Sequence, residues 1–284
     1  MIRSVCLLVS ISAAITAAAE DPSSLRKSLI FRASFDGSAD AGIAKGDGRL
    51  YTAESIAMKD VRPGIHVSEV SIAADAGRFG DALRFSAKTP QVLFYKVADN
   101  GFRPRGDWSG TFSFWMKLSP DDDLPEGYCD PVQITSKTWN DAAFFVDFDR
   151  DLPRDFRLGV FSDYKFWNPK DISWDDWPVE RRPMIVVRKP PFSRDKWTHV
   201  AFTFHDVNSS TGADSTASLY LNGQLQGTLK QPLRFTWEPS GDGQKEAVMM
   251  LGINYVGDID EVALFNHALS SDDVKTLYEL PDGL

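Results

Sequence analysis

Two acidic runs and one aromatic segment hold the residues best suited to chemistry. In Asp258-Ile-Asp260-Glu261-Val262, strand alternation puts Asp258 and Asp260 on one face, with Val262 as the third residue of that face and Glu261 opposite. A retaining glycoside hydrolase needs two carboxyl groups about 5 Å apart in one cleft. With Val262 where a third acid belongs, the run reads as non-catalytic. Asp147-Phe-Asp149-Arg-Asp151 imitates the start of an EF-hand loop, but Leu152 replaces the obligatory Gly and Leu158 the bidentate Glu. It reads instead as a strand with Phe144, Val146 and Phe148 inside and aspartates in water. The histidines His66, His199, His205 and His267 have no metal-ligand spacing, and neither a nucleophile elbow nor a phosphate loop occurs.

The aromatic segment lies within residues 162–191, where Tyr164, Trp167, Trp174 and Trp177 alternate with Asp163, Asn168 and Asp175. Flat rings flanked by hydrogen-bonding side chains are what a sugar-binding site requires. The same rings could instead pin a long loop onto the fold as a satellite core. Both readings are open at this point.

The elements that must position these residues read as strands. Nine runs of alternating or apolar residues, punctuated by Gly, Pro, Asn and Asp, cover 29–35, 91–95, 111–118, 143–149, 157–161, 185–188, 198–205, 217–221 and 248–252. Asn222-Gly223 predicts a type I′ hairpin. Ser270 stands three residues before Asp273, a capping-box spacing that predicts a short C-terminal helix carrying Val274, Leu277 and Tyr278 on one stripe. Residues 37–77, Gly- and Ala-rich without clear periodicity, and 162–191 read as long loops.

Six segments then appear in an order that resembles the laminin G-like, concanavalin A-like jelly-roll family: LIFRASFD at 29–36, GDALRF at 80–85, TFSFWMK at 111–117, WTHVAF at 197–202, LYLNG at 219–223 and Leu251-Gly252, followed by the closing run 257–278. The resemblance covers 29–284 and implies an all-β fold, a two-sheet antiparallel β-sandwich ending in a short helix. It implies no single activity. It also implies that Asp36 at the end of the first strand lies near Asp260 in the closing strand. That pair is the candidate for one structural calcium ion; the bland alternative is that Asp260 accepts backbone N–H bonds or meets an Arg.

Residues 1–19 have a charged start, an apolar run from Val5 to Ala19 and a small-residue end at Ala17-Ala-Ala19, the pattern of a cleaved signal peptide. The run, about 15 residues long, falls short of the ~20 that span a bilayer. A short polar lead follows over 20–28. Removing 1–19 deletes one of 31 basic residues, leaving 30 against 40 acidic and a net charge of −10, which disfavours nucleic acid as a partner. Cys129, placed in an acidic loop, is then the sole cysteine, so no internal disulfide forms. These features together predict a secreted, periplasmic or cell-surface binding module without catalytic activity, its partner a glycan or an extracellular protein. The alternatives are a glycoside hydrolase or polysaccharide lyase, and an adhesion component of a surface assembly.

Overall fold

The computed structural model describes residues 22–237 and 246–284; the expected signal peptide lies outside them. A first helix, α1 (Pro22–Ser28), leads into β1 (Leu29–Ala33), β2 (Ile43–Ala44), β3 (Tyr51–Ala53), β4 (Arg62–Pro63), β5 (Val70–Ala73), β6 (Ala82–Phe85), β7 (Val92–Lys96) and β8 (Trp108–Lys117). After the turn α2 (Pro120–Asp123) come β9 (Cys129–Thr135), β10 (Ala143–Phe148) and β11 (Phe156–Phe161), then α3 (Tyr164–Trp167), two 3₁₀ turns and β12 (Met184–Val187). The chain closes through β13 (Thr198–Val207), β14 (Ser215–Leu221), β15 (Gln224–Gln231), β16 (Val248–Ile253), β17 (Gly257–Phe265) and α4 (Ser271–Glu279).

Two antiparallel sheets result. One runs β15-β14-β13-β8-β17-β1-β2, with β6 and β5 attached through β17; the other runs β12-β11-β10-β9-β16-β7-β3-β4. Period-two alternation sends Phe112, Phe114, Val200, Phe202, Phe144, Val146, Leu158, Val132 and Leu251 into the space between them, where each is fully or almost fully buried. Phe144 stacks on Phe204 at 4.7 Å, and Trp108 packs edge-on against Phe102 at 4.9 Å.

The outer face of the first sheet is sealed by helices. Leu25 of α1 and Val274 and Leu277 of α4 pack on Ala201, Ala263 and Phe265. Ser270 caps α4 as predicted: its hydroxyl accepts from Asp273 N at 3.1 Å, and the Asp273 carboxylate accepts from Ser270 N at 3.0 Å. Asn222 and Gly223 take φ of 49° and 72° and close the β14–β15 hairpin.

Three expectations need correction. Residues 37–77 are not a plain surface excursion, since they supply edge strands to both sheets and bury Leu50, Tyr51, Ala53 and Val70; strands of two to four residues are too short to show a period. The polar lead is a helix whose Leu25 is fully buried. Cys129 opens β9 inside the core instead of lying in a loop. Burial there pushes its thiol up to about 11.

Candidate functional site

The aromatic segment folds onto the end of the β10–β11 hairpin. Phe145 and Phe161 point outward from these strands and stack at 5.5 Å. Trp167 meets Phe161 edge-on at 5.1 Å, Tyr164 meets Trp167 at 89°, and Trp177 lies against Trp167 at 5.3 Å. Trp174 packs at 85° on Trp139, with the Arg182 guanidinium 4.2 Å from its centroid. The polar residues tie the loop together. Asn168, 1% exposed, bonds both backbone groups of Ile172. Asp163 accepts from Lys137 and Thr236, and Trp167 Nε1 donates to Asn140 O at 2.8 Å. Asp175 stands exposed outside the cluster. Edge-to-face rings half-buried by one another favour the packing reading for the four rings with Asp163 and Asn168, and leave Asp175 outside it.

One ring escaped the sequence reading. Trp139, in the β9–β10 turn, packs on Phe145 at 6.1 Å and Phe161 at 5.4 Å and stays 37% exposed. A lone Trp in a polar turn gives no periodic signal.

Beside Trp139 the outer face of the second sheet carries a polar row. Gln133 lies opposite Phe145 on one side and Met250 on the other. It is 7% exposed, yet its amide has no hydrogen-bond partner among the described residues. Asp147 pairs in register with Arg157, whose Nε reaches Oδ1 at 2.9 Å and whose Nη2 meets Oδ2; Nη1 holds Asp149 at 3.1 Å. Asp147 is therefore buried and ion-paired, where the sequence reading put the aspartates in water. Tyr128, 38% exposed, lies 4.9 Å from the Arg157 guanidinium. A bulge in β9 opposite Asp147 turns Asp130 toward it. The Asp130 carboxyl has no hydrogen-bond partner, and burial, reinforced by the Asp147 charge, drives its pKa well above the usual carboxylate range. A donor and acceptor set thus lies between two exposed rings.

The acidic run of β17 is arranged differently from its sequence reading. Residues 257–259 pair with β6 and 262–265 with β1. Where the partner changes, a bulge puts Glu261 at φ 52°. The extra residue breaks the alternation, so Val262 turns into the core and Glu261 joins Asp258 and Asp260 outside. The triplet is nonetheless closed. Arg84 grips Asp258 at 2.7 and 2.9 Å, Arg32 holds Glu261 with two bonds of 2.7 Å, and Asp260 accepts from the N–H groups of Arg78, Phe79 and Glu261. Burial lifts Asp260 to about 7. Asp36 accepts from Asp81 N at 2.9 Å, so Asp36 and Asp260 clamp one turn, 78–81, from its two ends. An ion of six to eight oxygen ligands does not fit this set. Asp260 already spends both oxygens on N–H donors, and no group of three or more His, Cys, Asp or Glu among the described residues is placed to hold a metal.

His199 has a structural setting. It is fully buried, its Nε2 is 2.8 Å from Ser113 Oγ, and its ring packs on Trp115 at 5.0 Å.

Sheet order and layer packing define a two-sheet antiparallel sandwich of the jelly-roll kind. The profile of the laminin G family described as the concanavalin A-like lectin/glucanases superfamily matches residues 95–275. The chain belongs to that family. No curated protein sequence matches it. Among solved structures it is similar to domain 4 of AbnA, an extracellular GH43 arabinanase from Geobacillus stearothermophilus, in complex with arabinotriose, at 16% identity and TM-score 0.51, covering 88% of this chain and 98% of that one. The binding domain of Paraclostridial Mosquitocidal Protein 1 matches at 15% identity and TM-score 0.55, covering 89% and 52%. That of Botulinum neurotoxin serotype D matches at 12% and 0.55, covering 90% and 52%. The chain spans about half the length of these two toxin domains. Identities this low establish the shared fold alone.

Proposed function

We propose that the chain is an exported glycan-binding module that does not cleave its ligand, with the sugar lying along the outer face of the second sheet between Trp139 and Tyr128. The observation that carries this reading is Gln133, 7% exposed and with no side-chain hydrogen bond among the described residues, paired across the sheet with the Phe145 on which the exposed Trp139 ring packs. An amide with no protein partner is free to hydrogen-bond a ligand hydroxyl, and the ring offers the apolar face a sugar stacks on. The arabinotriose complex of the similar AbnA domain supports the ligand class. Export rests on residues 1–19; no helix among the described residues is long and apolar enough to cross a membrane.

A second reading is a hydrolase acting through Asp130 and Asp147, favoured by the raised pKa of Asp130 next to a second carboxylate. Against it, Arg157 occupies both oxygens of Asp147.

A glycan array followed by calorimetry on the best neutral oligosaccharide tests the proposal. Gln133→Ala and Trp139→Ala should each weaken binding about tenfold, the loss of one good polar or stacking contact; circular dichroism checks that each is folded, since Trp139→Ala also removes ring packing on Phe145 and Phe161 and lowers the thermal midpoint. Binding unchanged in both variants would refute the placement. Reducing ends that accumulate with wild type and vanish in Asp130→Asn would establish the hydrolase.

A further inference from the structure

Apart from the sheet face, a pit of about 270 Å³ opens at the end of the sandwich where β7 passes to β8, lined by Ala98, Asp99, Gly101, Arg103 and Arg105. Its frame is rigid. Asn100, fully buried, bonds Gly46 N, Asp47 O and Lys96 O at 2.7–2.9 Å, and Phe102, 1% exposed, is wedged against Trp108 and Phe204. Between these anchors Gly101 takes φ 86°, a left-handed conformation suited to glycine. A three-residue turn around Pro104, with Arg105 N donating to Arg103 O at 2.9 Å, brings both arginines to the same rim.

The charge balance there runs against that of the molecule, whose net charge is −9. Arg103 gives Nε to Ala98 O and Nη2 to Asp99, which leaves Nη1 free; the Arg105 guanidinium has no partner among the described residues. Lys45 runs alongside, its Cδ 3.8 Å from where a Cβ on Gly101 would stand. Two guanidiniums thus share the rim with one carboxylate, and Lys45 runs close by. A guanidinium fork matches the two oxygens of an oxyanion.

We propose that this pit binds an oxyanion carried by an acidic polysaccharide, either a uronate carboxylate or a sulfate ester, with Arg105 as the principal donor and Arg103 and Lys45 completing the charge. The pit is a separate site from the neutral-sugar face.

The test is an amide NMR titration of the wild-type protein with oligogalacturonate, repeated in the presence of potassium sulfate and with a neutral arabino-oligosaccharide. Oligogalacturonate should shift the amides of residues 98–105, and its affinity should fall as sodium chloride is raised. Arg105→Gln should weaken it about tenfold, the loss of a charge-assisted bond. Because Arg105 supports nothing in the fold, its variant should melt like wild type. Sulfate that displaces the uronate assigns the site to oxyanions in general; failure to displace it narrows the site to carboxylates. Amides at 98–105 that do not move, or equal oligogalacturonate affinity in Arg105→Gln, would overturn the proposal. Neutral oligosaccharide binding should be unchanged in Arg105→Gln and weaken about tenfold in Trp139→Ala, so each site can fail by itself.

Discussion

His199 and the Asp147–Arg157 pair show how burial governs single side chains in this protein. Burial holds the His199 imidazole neutral, with its pKa lowered from 6.5 to about 3. A base whose folded pKa is depressed contributes stability that is present above pH 6.5 and lost as pH falls toward 3. The slope approaches about 1.4 kcal/mol per pH unit. Asp260 opposes it. Its folded pKa, raised to about 7, gives stability that is present below pH 3.8 and lost as pH rises through 7. Denaturant unfolding from pH 7 to 4 should therefore show wild type losing its advantage over His199→Gln as the pH falls; a constant difference would contradict the neutral assignment. At the second site, Arg157→Met strands a buried Asp147 and should cost about 3–5 kcal/mol. The double variant Asp147→Leu/Arg157→Met should recover much of that, as read from urea midpoints.

At the scale of elements, the decisive features are places where regular structure is interrupted. The bulge at Asp260-Glu261 lets β17 serve β6 with one half and β1 with the other, and Asp260 fastens the 78–81 turn across the gap. Because N–H donors already fill the Asp260 carboxylate, millimolar calcium or EGTA should leave the melting temperature unchanged. A calcium-dependent rise abolished by Asp36→Ala or Asp260→Ala would instead establish an ion there. Gly252, one residue before the end of β16, takes φ 74°, with the Phe85 ring packed where a Cβ would stand. Gly252→Ala should therefore be severely destabilising, by strain and by overpacking together. The two terminal helices form one seal, so Leu25→Ala, which empties a fully buried position between α1 and α4, should cost about 2–4 kcal/mol. Thermal denaturation checks both.

The whole molecule is asymmetric between its two outer faces. The first sheet hides its outer face under α1 and α4, while the second carries loops at both flanks, the aromatic loop over β10 and β11 and Met58 over Tyr51 and Phe94. Gln133, Asp130 and Arg157 lie between these flanks, on the face proposed for the sugar. Mass spectrometry of the exported protein should find Glu20 as its first residue. An intact Met1 in a membrane fraction would contradict export by a cleaved leader.

Fold class, the strand runs, the Asn222-Gly223 turn and the Ser270 cap were legible in the chain because they follow from local periods of two and 3.6 and from backbone preferences of single residues. The seven aromatic-loop residues were legible as a group, but whether their rings lie flat or edge-on depends on Phe145 and Phe161, which reach them across the hairpin. Gln133, Trp139 and Asp130 became candidates only in three dimensions, since what marks them is the absence of a partner or of cover. The bulge at Glu261 was hidden for a related reason: one added residue reverses the facing of everything after it, and only pairing with β8, β6 and β1 reveals where it falls. Local sequence specified the elements and their apolar faces, whereas the tertiary structure decided which polar groups find a partner inside the protein and which do not.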